Sequence, residues 1–212
     1  MRFFKTPLLV KSLFPSFVWN IKGEEKIVYP TFDDGPLPEL TDYILWELGR
    51  VNAKGTFFCV GDNIKKYPDI ARRIVNEGHV IGNHTFHHLN GWNTPTEEYI
   101  DNAEKFEEIY RANVGENVPK LFRPPYGKIT RKQSSILQKW GYKIIMWDVL
   151  SYDFDSRLNL EQALEAITSK TKSGTIILFH DNYKAKNNMQ YLLPLYLDWF
   201  GKKGFQFKSI PD

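Results

Sequence analysis

Short apolar, β-rich runs alternate along the chain with amphipathic stretches. The apolar runs are residues 26–32 (KIVYPTF), 55–60 (GTFFCV), 79–83 (HVIGN), 120–125 (KLFRPP), 142–149 (YKIIMWDV), 174–180 (GTIILFH) and 204–210 (GFQFKSI). Their length and β-branched or aromatic content predict seven strands. Helical stretches separate most of them. Residues 39–52 carry Tyr43, Leu45, Trp46 and Leu48 against a polar return. Residues 67–78 open at Pro68 and stop at Gly78. Residues 94–113 have an acidic first turn, and residues 130–141 stop at Gly141. Two further helices are expected, ending at Gly174 and at Gly201 or Gly204, the second kinked or split by Pro194.

Strand–helix alternation of this kind implies parallel strands joined by right-handed crossovers. It leaves an open doubly wound sheet or a barrel of the TIM kind. No GxGxxG or GxxxxGK[ST] loop supports the open sheet. Residues 1–25 stand outside the alternation and are expected to form a segment capping one end, with residues 26–212 as one compact domain. Pro30, inside the first strand, suggests an edge or bent strand.

Composition narrows the picture further. Hydrophobic residues make up 42% and charged residues 25% of the 212 residues, as in an ordinary globular protein. No dense basic block accompanies the formal net charge of +3, which argues against a nucleic-acid partner. The single cysteine, Cys59, excludes an internal disulfide and a cysteine-type zinc site. Lys11 and Pro15 interrupt the apolar N-terminal run, and no stretch approaches the ~20 apolar residues of a membrane-spanning helix. These features point away from stable membrane insertion and toward a cytoplasmic rather than an exported chain. The oligomeric state is not legible.

The chemistry collects where barrels and open sheets bind ligands, at the carboxyl ends of strands. Asp33 and Asp34 end the first strand, His84 and His88 follow the third, Arg123 and Tyr126 the fourth, Asp153 the fifth, and His180 and Asp181 the sixth. His84 and His88 are four apart, so on a helical turn they share a face and can hold one metal ion; His87 would then point away and His79 is structural. Two imidazoles and one carboxylate, from Asp33 or Asp34, are a common catalytic metal set. The other aspartate would be free to accept a proton. Arg123 can grip a carboxylate, on a loop stiffened by Pro124 and Pro125, and Asp153 can orient His180 as a proton donor. Trp92 and Tyr183 are aromatic candidates for stacking on a ligand ring.

The ordered set TFDDGP, HTFHH, RPPYG, an Asp after the fifth strand and ILFHD resembles the polysaccharide deacetylase family, the NodB-homology type of carbohydrate esterase, over about residues 27–182. That resemblance implies an incomplete, distorted (β/α)7 barrel and one divalent metal ion, zinc above cobalt or nickel. It implies hydrolysis of N-acetyl groups from amino sugars in an oligo- or polysaccharide by a metal-activated water. Carried over, Asp33 is the base, Asp34, His84 and His88 the metal ligands, Thr85 a brace for their loop, and Arg123 the residue orienting Asp33. The Tyr126 amide serves the oxyanion, Asp153 supports the acid His180, and Leu178 lines the acetyl pocket, with Pro125 and Phe154 on the substrate side. Phe154 stands where the family usually has Trp, and Leu89 where it has Pro. The alternatives are an O-acetyl esterase, another small-amide hydrolase, or a catalytically silent sugar-binding module.

Overall fold

The structure is a computed structural model that describes residues 2–23 and 25–212. Its centre is β1 (Ile27–Asp33), a strand buried along nearly its whole length. A parallel strand covered on both faces reads as continuous apolar sequence rather than as alternation. After it come α2 (Leu40–Arg50), β2 (Thr56–Cys59), α3 (Gly61–Lys66), α4 (Pro68–Asn76) and β3 (Val80–Asn83), then α5 (Thr96–Asn113), β4 (Leu121–Phe122), α6 (Arg131–Lys139) and β5 (Lys143–Ile144). The chain closes with β6 (Val149–Leu150), α7 (Leu160–Lys170), β7 (Ile176–His180), α8 (Lys186–Gly201) and β8 (Gln206–Phe207); a short α1 (Leu8–Leu13) precedes them all.

The strand order is β5-β4-β3-β2-β1-β7-β6, parallel throughout, with β8 added beside β1. This is a seven-stranded incomplete (β/α) barrel, as the family resemblance implies and as one of the two architectures the alternation leaves open, but its membership differs. The expected fifth strand, residues 142–149, divides into β5 and β6, which lie at opposite ends of the strand path. The division has a physical cause. Arg123 donates to the carbonyls of Ile145 (3.2 Å) and Met146 (2.9 Å), taking acceptors that a continuous ladder would use. The open seam is bridged by the N-terminal segment: Val18 pairs with Ile145, and Lys5 pairs with Val149. Lys11 and Lys5 reach the buried Asp148 carboxylate between them.

Two other expectations are corrected. Pro30 lies in the central strand, not an edge. Tyr29 sends its N–H to Thr175 O, so position 30 turns its nitrogen the other way. On that side β8 pairs only through Val28 and β2 begins only at Thr31, so no ladder bond is lost. Pro194 does not split α8, which runs unbroken from Lys186 to Gly201. A helical proline frees the carbonyl four residues back, and here Gln190 O is taken by Tyr43 Oη at 3.1 Å. The unexpected α3 has only Gly61 and Ile64 buried, too few apolar positions to register as a helical face.

Alternation along β1 sorts its side chains. Val28 and Phe32 join the core under the helices. Tyr29 packs inside the barrel with Phe58, Leu121, Ile145 and Ile176. Thr31 and Asp33 continue that inner row toward the carboxyl end. The barrel interior is therefore apolar at its base and becomes polar at its mouth.

Candidate active site

Asp33 is the last residue of β1 and is 4% exposed. Its Oδ1 accepts from Arg123 Nη1 at 2.7 Å. Arg123 is fully buried, stacks 4.1 Å over the Phe58 ring, and donates also to Thr31 Oγ1 at 2.8 Å. Burial pulls its pKa down and the Asp33 charge opposes that. A buried guanidinium survives because each of its three nitrogens finds an acceptor. Asp33 Oδ2 makes none of these bonds and faces the cleft beside His84, 3.8 Å from Nε2.

Asp34 follows at φ 88, in the left-handed region, which turns it away from its neighbour. Its Oδ1 lies 3.0 Å from His88 Nε2 and 3.5 Å from His84 Nε2. Burial alone would raise its pKa; hydrogen bonds to His84 and His88 and the nearby His180 hold it well below the usual carboxylate range. His84 Nδ1 is 2.7 Å from Arg123 O. A carbonyl only accepts, so Nδ1 carries a proton in either charge state; the doubly protonated ring donates from Nε2 to Asp34, and the neutral ring presents a lone pair there to a cation. One ligand atom from each of Asp34, His84 and His88 lies within 4.8 Å of the others. The donor set and the fixed tautomer fit a divalent cation.

The two histidines do not share a helical face. Residues 84–90 are a loop with Thr85 at φ 61 and His88 at φ 57, and these two left-handed residues fold the imidazoles together, rings 5.0 Å apart. Asn83 Oδ1 takes the Thr85 N–H at 2.8 Å, and Thr85 Oγ1 takes the Leu89 N–H at 3.1 Å. His87 is exposed against Phe86, outside the cluster. His79 is buried, accepts from the Gly55 N–H at 3.1 Å, and is pushed down to about 4 by burial and then by Lys54.

His180 ends β7 across the cleft. Its Nδ1 and its backbone N–H both meet the buried Asp153 carboxylate at 2.7 Å. Burial opposes protonation, but Asp153 foremost, then Asp34 and Asp33, raise its pKa to about 9. Phe154 stands edge-on to the His180 ring at 5.0 Å.

The cleft holds about 650 Å³ and is lined by Asp33, Asp34, His84, His88 and His180, with Tyr126, Phe154 and Leu178 among its walls. Tyr183 reaches it. Trp92 does not, its Nε1 donating to Ile129 O at 3.2 Å. Pro125 is buried and is not among the residues lining the cleft. Sequence reasoning passed over Asn182, whose Nδ2 donates to Asp34 Oδ2 at 2.6 Å, and Trp147, which walls the cleft beside Gly127. Asn182 follows the His-Asp pair directly, and that position was its only signal. Asp181, beneath the site, is fully buried and accepts from Thr41 Oγ1 at 2.5 Å; its Oδ1 has no partner among the described residues. Burial raises its pKa to about 8. A Cβ on Gly35 would stand 2.1 Å from Asp181 Oδ2, which explains glycine there.

Comparison with known proteins agrees with this geometry. The chain is 31% identical over 211 residues to a peptidoglycan-N-acetylglucosamine deacetylase of Bacillus cereus, covering 97% of each. It is 39% identical over 150 residues to a second Bacillus cereus deacetylase of that description, 71% of this chain and only 54% of that one. A crystal structure of a peptidoglycan N-acetylglucosamine deacetylase bound to an N-oxidanyl-benzamide superposes with a TM-score of 0.88 at 32% identity, covering 97% of this chain and 95% of the other. Residues 20–145 match the family model described as polysaccharide deacetylase, and the chain belongs to that family.

Proposed function

We propose that the chain is a metal-dependent carbohydrate deacetylase that hydrolyses N-acetyl groups from amino sugars in an oligo- or polysaccharide. One observation carries this reading. A carboxylate held by arginine, Asp33, and an imidazole held by carboxylate, His180, face one cleft containing the Asp34–His84–His88 group. A sugar-binding module needs no base and acid on opposite walls.

Asp34, His84 and His88 would hold the ion, with zinc the best match for mixed nitrogen and oxygen donors and cobalt or nickel next. When bound, it supplies Lewis acidity to the acetyl carbonyl and lowers the pKa of water. Asp33 orients the attacking water and accepts its proton at Oδ2, since Oδ1 is committed to Arg123. The water oxygen bonds to the carbonyl carbon, and the Tyr126 amide stabilises the oxyanion. His180 is held through Nδ1 by Asp153, so Nε2 delivers a proton to the departing nitrogen as the C–N bond breaks. Acetate and the free amine result. Leu178 and Phe154 enclose the methyl group.

The test is acetate release from N-acetylglucosamine oligomers by metal-loaded and chelated protein, for the parent and Asp33→Asn. Release that is lost on chelation, restored by zinc and reduced at least ~100-fold in Asp33→Asn supports the reading. Binding of the oligomers without release, or release only from an O-acetyl ester, overturns it.

A further inference from the structure

We infer that Asn182 is a positioning residue for the metal site, holding Asp34 Oδ2 so that Asp34 ligates the ion through Oδ1 alone; this rests on the metal-dependent deacetylase reading. The arrangement starts in the sheet. β1 and β7 pair in parallel with Asp33 opposite His180, and the Asp181 N–H extends that ladder to Asp33 O at 2.6 Å. The next residue of each chain, Asp34 and Asn182, therefore leaves the sheet beside the other, and both line the cleft.

The turn that Asn182 begins sets the orientation of its amide. Oδ1 accepts the Ala185 N–H at 3.0 Å, across the turn leading into α8, so Nδ2 is the atom that faces Asp34. It donates to Asp34 Oδ2 at 2.6 Å, a short bond of the kind an ionised carboxylate makes. The Asp34 backbone is held separately, its carbonyl accepting from Asn63 Nδ2 at 2.7 Å. With both ends of the residue fixed, Oδ1 is the oxygen presented to the imidazoles, 3.0 Å from His88 Nε2 and 3.5 Å from His84 Nε2. A carboxylate can bind a cation through one oxygen or through two. Here the second oxygen is engaged by an amide, so the chain offers one oxygen and two nitrogens. Three protein donors leave room at the ion for water and for a substrate oxygen, which a fourth would take. Partners that orient a ligand in this way govern affinity as well as geometry.

Two variants separate this role from that of a turn residue. Asn182→Ala removes both the acceptor for Ala185 and the donor to Asp34. Asn182→Ser keeps a hydroxyl able to accept the Ala185 N–H, but its side chain ends one atom short of the amide that meets Asp34. Zinc affinity, read by competition with a chromophoric chelator, should fall ~10–100-fold in both. Cobalt-loaded protein should lose visible absorption intensity in both, because a freed Oδ2 raises the coordination number of the ion. Parental affinity and spectrum in Asn182→Ser would make Asn182 a turn residue alone and overturn the inference. So would a fall in affinity with an unchanged cobalt spectrum, since Asp34 would then ligate through one oxygen without help. A parent that binds no divalent ion overturns both the inference and the metal-dependent reading. Parental values in both variants, beside chelator-sensitive acetate release, overturn the inference alone, and tight Asn182-dependent zinc binding without acetate release overturns the deacetylase reading alone.

Discussion

Arg123 and Asp33 form a buried pair whose coupling can be measured. Arg123→Met removes the guanidinium and leaves the Asp33 carboxylate 4% exposed without its partner, together with the carbonyls of Ile145 and Met146. Breaking a buried pair from one side costs about 3–5 kcal/mol, and each orphaned acceptor about 1 kcal/mol or more. We expect a total near ~5 kcal/mol. Asp33→Asn keeps Arg123 hydrogen-bonded to Thr31, Ile145 and Met146 and should cost ~3 kcal/mol. In the double variant no buried charge is left, so it should cost ~5 kcal/mol rather than ~8, a coupling of ~3 kcal/mol. Urea unfolding of the metal-stripped variants, followed by tryptophan fluorescence, gives all four corners. If Arg123→Met does not fold, Arg123→Gln replaces it; glutamine removes the charge but keeps a donor for the carbonyls of Ile145 and Met146. A cycle additive within ~0.5 kcal/mol would refute the argument that each charge exists to neutralise the other.

The acid limb of the reaction should follow His180: activity falls as pH rises through about 9, and Asp153→Asn moves that fall to lower pH, read from rate–pH profiles. The same raised pKa contributes stability that is complete below about 6.5 and lost as pH rises through about 9. Asp181 acts in the same direction for the opposite reason. Its folded pKa of about 8 lies above its usual 3.8, so the folded state binds the extra proton and loses stability as pH climbs between them. Asp181→Asn should therefore match the parent near pH 4 and exceed its stability above pH 8, measured by denaturation of chelated protein. His84→Ala or His88→Ala should lose the bound ion by elemental analysis while His87→Ala keeps it, because only the first two share Asp34.

Much of this fold was legible because parallel barrel strands are buried on both faces and leave apolar runs between amphipathic helices. The misreadings at residues 142–149 and at Pro194 share one origin, in contacts made by residues far away in sequence. Residues 142–149 look like one strand, and nothing local announces that Arg123 takes the carbonyls that break it. Pro194 looks like a helix breaker, and nothing local shows Tyr43 accepting the duty of the lost N–H. The strand-end chemistry was visible because Asp, His and Arg are distinctive residue types in distinctive order. Asn182 was not, because an amide carries no charge to attract notice; only its 2.6 Å bond to Asp34 reveals it. The spacing of His84 and His88 suggested the right convergence through the wrong geometry, since a loop with two left-handed residues achieves what a helical turn would.

That last point extends to the whole rim. Among the described non-glycine residues with positive φ, Asp34, Glu39, Thr85, His88, Tyr126 and Tyr152 lie on the loops after β1, β3, β4 and β6, and only Asn52 lies elsewhere. Left-handed backbone costs an ordinary residue about 1–2 kcal/mol, and such strain collects where geometry serves function. Tyr126, at φ 59 and 62% exposed, allows a clean test. Tyr126→Ala and Tyr126→Gly both lose the ring contact with His88, 4.6 Å away, so they differ only in backbone preference. At most positions alanine is the more stable of the two. Here glycine should be the more stable by about 1 kcal/mol, because it alone occupies this region without strain. Both variants keep the amide N–H proposed to serve the oxyanion, so acetate release should stay within ~10-fold of the parent. Urea unfolding that ranks alanine at or above glycine would show that the turn relaxes freely. Position 126 would then store no strain, and its left-handed backbone would not be what aims the amide.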